Sequence, residues 1–164
     1  MQAQFRTLDQ LMPFATAGEL VGKKREAAVS IEPGASAFAA MQRMKEKHLG
    51  LLLVLENGRL AGVLSERDCA RRLILEQRSA KDTAVRELMT TRVYTVEPGN
   101  KLPECIALMH DKGIRHLPVT DAGRVLGVLS VRDLMGALIE RHERLLRRLH
   151  EERLTLLFPD PSSY

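Results

Sequence analysis

The sequence has no tryptophan, only two tyrosines and four phenylalanines, and just two cysteines in 164 residues. A core this poor in aromatics must be filled by aliphatic side chains and methionine. That is feasible, because 45% of the chain is hydrophobic and seven residues are Met, and the length suits one medium domain. Cys69 and Cys105 are too few for a disulfide framework, and no C-x-x-C pair or Cys/His cluster with metal-ligand spacing occurs. They read as reduced thiols, and the compartment as cytoplasmic. Long apolar stretches are also missing: runs such as Leu51 to Leu55 fall far short of the roughly 20 residues that cross a bilayer. The stretch 11–17 is broken by Pro13 and lacks a basic leader, so neither a signal peptide nor a membrane partner is expected. Charge of one sign is scarce too. The 25 Lys and Arg against 21 Asp and Glu leave a net +4, too small an excess to imply a nucleic-acid partner. No H-E-x-x-H, G-x-S-x-G or P-loop pattern is present among the 164 residues, so neither an enzyme nor a metal site is expected.

What the chain does have is a duplication. VSIEPGASAF from Val29 returns as YTVEPGNKLP from Tyr94, and NGRLAGVLSERD (57–68) returns as AGRVLGVLSVRD (122–133). The shift is 65 residues and holds without a gap over 29–73. About sixteen of roughly forty-five paired positions are identical, where average composition yields about two or three.

Each copy carries the same order of local signals. E-P-G (32–34 and 97–99) ends a short strand with a turn. An amphipathic stretch follows, which predicts a helix over 36–47 in the first copy and one ending near Lys112 in the second. Apolar runs 51–55 and 60–64 flank Asn57-Gly58, and 116–120 and 125–129 flank Ala122-Gly123, so each pair predicts a hairpin. A second helix starts at Ser65 or Ser130, giving β-α-β-β-α twice, with 77–92 as a polar connector. Units of this size bury little surface alone, which predicts one shared core.

At each strand-to-helix turn stands Gly-Val-Leu-Ser-x-Arg-Asp, residues 62–68 and 127–133. Ser followed three residues later by Asp is first of all a helix start: the hydroxyl caps orphan N–H groups and the acid favours the positive end of the helix. The same pair can also hold a ribose diol, the carboxylate accepting from its hydroxyls. This duplicated signature, with the I-R-H-L-P-V strand at 114–119, resembles the cystathionine β-synthase (CBS) domain family over about residues 20–140. The match is to a tandem pair, a Bateman module, of the stand-alone bacterial type. The resemblance implies an α+β, sandwich-like fold with two repeats about a pseudo-twofold axis and a long C-terminal helix. Residues 1–19 would be an N-terminal extension, 20–78 and 79–139 the repeats, and 140–164 the final helix and a frayed tail.

It also implies a ligand and a site. In the family the Ser and Asp bind adenosine, and the γ subunits of AMP-activated protein kinase, which the second copy resembles, use a basic pair at the positions of Arg115 and His116 on phosphate. Guanidinium suits phosphate, and a partly protonated imidazole would add a donor. Either residue is also explained as an ordinary strand residue, solvated for Arg115 and satisfied in the core for His116. The better cleft would then comprise Ser130, Asp133, Val128, Arg115 and His116 with Lys24, Val29, Leu49 and Leu51 from the first copy. The other would use Ser65, Asp68 and Val63 with Tyr94 and Ile114, and be weaker because Gly50 and Leu51 stand where the second copy has Arg115 and His116. Arg67 and Arg132, inside the motif, would meet a phosphate at the helix N-terminus or remain solvated.

The stretch 131–157 has no proline and carries Leu134, Leu138, Leu145, Leu149 and Leu156, which predicts one long amphipathic helix and a homodimer surface. The functional expectation is a regulatory module sensing an adenosine nucleotide (AMP, ATP, NAD or S-adenosylmethionine) and read by an effector protein that the sequence does not identify. The alternative is a ligand-free dimerisation scaffold.

Overall fold

The computed structural model describes residues 13–24 and 28–157. The first twelve residues of the extension and the tail after 157 lie outside them. In chain order the elements are α1 (Ala17–Gly22), β1 (Ser30–Ile31), α2 (Ala37–Lys47), β2 (Leu51–Glu56), β3 (Arg59–Ser65), α3 (Glu66–Leu75), α4 (Val85–Leu88), α5 (Leu102–Lys112), β4 (His116–Asp121), β5 (Arg124–Ser130) and α6 (Val131–Leu157).

The two hairpins form as their turn residues require. Asn57 and Gly58 have φ of 51° and 76°, and Ala122 and Gly123 have 46° and 82°, the left-handed pair of a two-residue turn that matches strand twist. In the register, Leu52 faces Leu64 and Leu117 faces Leu129, and all four side chains are fully buried. Each contributes about 1.5–3 kcal/mol of apolar burial. A bulge falls at the same place in both hairpins, Val54/Leu55 and Val119/Thr120.

Three expectations need correction. The first strand of the second copy shrinks to one parallel bridge, Val96 with Val119, whereas β1 pairs with β2 at two residues. The connector 77–92 is not merely polar, since it contains α4 and buries Thr83, Val85 and Leu88. The buried residues form two clusters, one per copy, not one. The reason is an exchange of helices. Ala17 and Leu20 of α1 lie in the second copy's cluster, while Val85 and Leu88 of α4 lie in the first copy's. Matching backbone bonds fix the exchange: Ala17 N donates to Asn100 O (2.8 Å) and Leu102 N to Ala15 O (2.9 Å), as Ala37 N donates to Thr83 O and Val85 N to Ala35 O (both 2.8 Å). α1 packs on β5 and β4 of the second copy, and α4 on α2 and α3 of the first, so neither copy is closed without the other's leader.

Candidate functional site

The two Ser-x-x-Asp turns sit where β3 meets α3 and β5 meets α6. In the first copy Ser65 Oγ donates to Asp68 Oδ2 at 2.5 Å and accepts from Asp68 N at 3.1 Å. In the second copy the hydroxyl and the N–H of Ser130 both donate to Asp133 Oδ2 at 2.6 Å, and Asp133 N donates back to Ser130 Oγ at 3.3 Å. Both turns are helix caps in their own right, as the residue types require.

The second turn holds more than a cap. Lys24, just past α1, reaches it with Nζ 2.6 Å from both Asp133 Oδ2 and Val128 O. Burial would raise the Asp133 carboxyl, but hydrogen bonds from Lys24 and Ser130 outweigh it and hold the group below the usual carboxylate range. His116 lies opposite Ser130 in the ladder. Burial depresses its pKa, the cations of Arg115 and Lys24 depress it further, and Asp133 opposes them. The ring is therefore harder to protonate than a free imidazole. Arg115 and Arg132 are exposed, and the Arg115 carbonyl accepts from Val131 N at 3.0 Å.

The apolar residues expected from the first copy are placed with that copy's own sheet. Val29 and Leu49 pack on its cluster, Val29 O accepting from Leu53 N at 3.2 Å, and half-buried Leu51 faces Ser65 in register. At this turn the side chain that crosses between the copies to Asp133 is that of Lys24. Around the other turn, Tyr94 and Ile114 pack on the second cluster, the Tyr94 ring lying 5.3 Å from Lys112 Nζ, and Arg67 is exposed. Val63 is engaged by Thr90, N to O at 3.0 Å and O to N at 2.8 Å.

That bridge and the contact of Val21 with Gly127, where an added Cβ would lie 2.4 Å from Val21 Cγ1, were missed by sequence reasoning. The signal was present: Gly-Glu-Leu at 18–20 recurs as Arg-Glu-Leu at 86–88, but at a shift of 68, which a gapless 65-residue comparison passes over. Open depressions of about 390 and 350 Å³ lie elsewhere, at the β2–β3 turn and between Arg59, Val93 and Thr120, and neither is lined by either Ser-x-x-Asp pair. The turn geometry, with its ionised acid and convergent donors, is the better guide to chemistry than these shallow hollows. Burial pushes the Cys69 thiol up to about 11 and raises that of Cys105, so both are protonated at neutral pH and poor nucleophiles. Among the described residues no group of His, Cys, Asp or Glu is arranged to hold a metal, and no helix is long and apolar enough to cross a membrane.

Two copies of one unit with exchanged leader helices and a Ser-x-x-Asp turn on each define a tandem domain pair. The CBS domain family matches residues 18–75 and 85–140, and the chain belongs to it. The mitochondrial CBS domain-containing protein CBSX3 of Arabidopsis thaliana is 34% identical over 120 residues, 70% of this chain. The chain spans 58% of that relative's length. A CBS-domain protein from Burkholderia ambifaria has a solved structure that matches with TM-score 0.73 and 36% identity over 77% of this chain and 95% of that one. CBSX2, solved in complex with AMP, matches with TM-score 0.67 and 25% identity over 77% of this chain and 97% of its own.

Proposed function

We propose that the chain is a non-catalytic regulatory module that binds an adenosine nucleotide (AMP, ATP, NAD or S-adenosylmethionine) at the β5–α6 turn. The observation that carries this reading is the convergence of Lys24 from one copy's leader with Val128, Ser130 and Asp133 of the other, beside Arg115 and His116. The carboxylate is ionised and aimed at a seam, where it suits a ribose diol, and the basic residues suit phosphate. The AMP complex of CBSX2 supports the same chemistry on the same fold. Signalling then follows from linkage. A ligand that prefers one conformation stabilises it, by roughly 2.7 kcal/mol at 100 times its Kd, and an effector protein reads the shift.

Calorimetric titration of Asp133→Ala and Asp68→Ala with AMP, ATP, NAD and S-adenosylmethionine tests it. Asp133→Ala is expected to weaken binding at least about tenfold, the worth of a lost charged hydrogen bond, and Asp68→Ala much less. Equal losses would refute the asymmetry, and no binding of any compound at millimolar concentration would refute the reading. The second reading, a dimerisation scaffold, is favoured by the apolar side chains α6 exposes, among them Met135, Ile139, Leu146 and Leu149 at 49–54%.

A further inference from the structure

At the β5–α6 turn, Asp133 Oδ2 and Val128 O are already bound by one ammonium, that of Lys24. A ribose diol requires the same carboxylate, so nucleoside and Lys24 compete for it. Displacing Lys24 is costly. Its side chain and that of Asp133 are only 32% and 28% exposed, so water replaces the lost contact incompletely. The freed ammonium would also lose its carboxylate partner while remaining in the field of the Arg115 cation, which, like Lys24, acts on the His116 ring. A ligand that carries its own anion removes both costs.

We propose that Lys24 is a displaceable plug in this cleft, so that the cleft selects adenosine ligands bearing a phosphate, to which the released ammonium transfers, over uncharged adenosine and over cationic S-adenosylmethionine. This rests on the adenosine reading above and narrows it to a ligand class. Among the described residues, Asp68 of the other cleft is hydrogen-bonded within its own turn, to Ser65, with no lysine like Lys24 on it. The equivalent Val63 is held through both its N–H and its C=O by the backbone of Thr90, and those bonds cannot pass to a ligand unless the segment after α4 moves.

Titration of the full chain with AMP and with adenosine, for wild type, Lys24→Met and Lys24→Ala, separates the possibilities. Wild type is expected to bind AMP at least about tenfold more tightly than adenosine. In both variants adenosine tightens by roughly three- to tenfold while AMP does not, so the preference collapses. Lys24 belongs to neither buried cluster, and Met preserves its aliphatic stem, so the variants should fold. If AMP binds wild type but adenosine fails to tighten in the variants, or if the AMP preference is unchanged, the plug is wrong and the adenosine site stands. If no variant and no wild-type sample takes up either compound, the adenosine reading falls and the plug falls with it.

Discussion

His116 was legible in the sequence by position but not by protonation state. The I-R-H-L-P-V strand marks it beside the Ser-x-x-Asp turn, and the family resemblance places Lys24, 92 residues earlier, in the same cleft, but the direction in which Lys24 and burial shift the ring is seen only in three dimensions. Its folded pKa lies below the ordinary 6.5, so the unfolded chain takes up the proton first as pH falls. Stability from the neutral ring is therefore complete above about pH 6.5 and is lost as pH drops through the lower folded value. Arg115, Lys24 and Asp133 are the charged groups that set this balance. Thermal unfolding midpoints between pH 7.5 and 5 should fall toward acid for wild type and fall less for His116→Gln. An identical slope in the two proteins would show that another group carries it. Asp133 adds a separate limb. Its depressed carboxyl stabilises the fold above about pH 4 and ceases to do so below, as it protonates.

Among the elements, hairpins and long helices were readable because their signals are local and periodic. Apolar runs on either side of Asn57-Gly58 and of Ala122-Gly123 specify β2 with β3 and β4 with β5, and the apolar spacing after Ser36 specifies α2. The leader helices were not readable. α4 has four residues and α1 six, too few to show a helical period, and their partners are chosen by shape across the seam. Gly127 is one such fit: its missing Cβ makes room for Val21 of α1. Gly127→Ala should destabilise by about 1–3 kcal/mol through overpacking. Val21→Ala in the same chain should recover part of that loss, because it deletes the methyl in conflict. Denaturant unfolding of the single and double variants measures the recovery, and simple additivity would mean that the two residues do not meet.

For the whole molecule, α6 outlasts the body it packs on. Leu134 is buried against the second cluster, but Met135, Ile139, Leu146 and Leu149 are exposed at steps of four, seven and three, near the seam spacing of paired helices. Exposed apolar stripes of this kind mark association surfaces, and we propose a homodimer formed through them. Sedimentation should find wild type as a dimer and the double variant Leu146→Glu, Leu149→Glu as a monomer, with secondary structure retained. A wild-type monomer at tens of micromolar would exclude it.

The crossing of the leader helices bears on the order in which the molecule is made. α1 ends at Gly22 and the strand it covers begins at Arg124, so about a hundred residues must leave the ribosome before it finds its seat. α4, by contrast, emerges just after α2 and α3, the helices it packs on. The first copy can thus gather its own leader during synthesis while α1 waits for β5, so the seam between the copies closes in two separate steps.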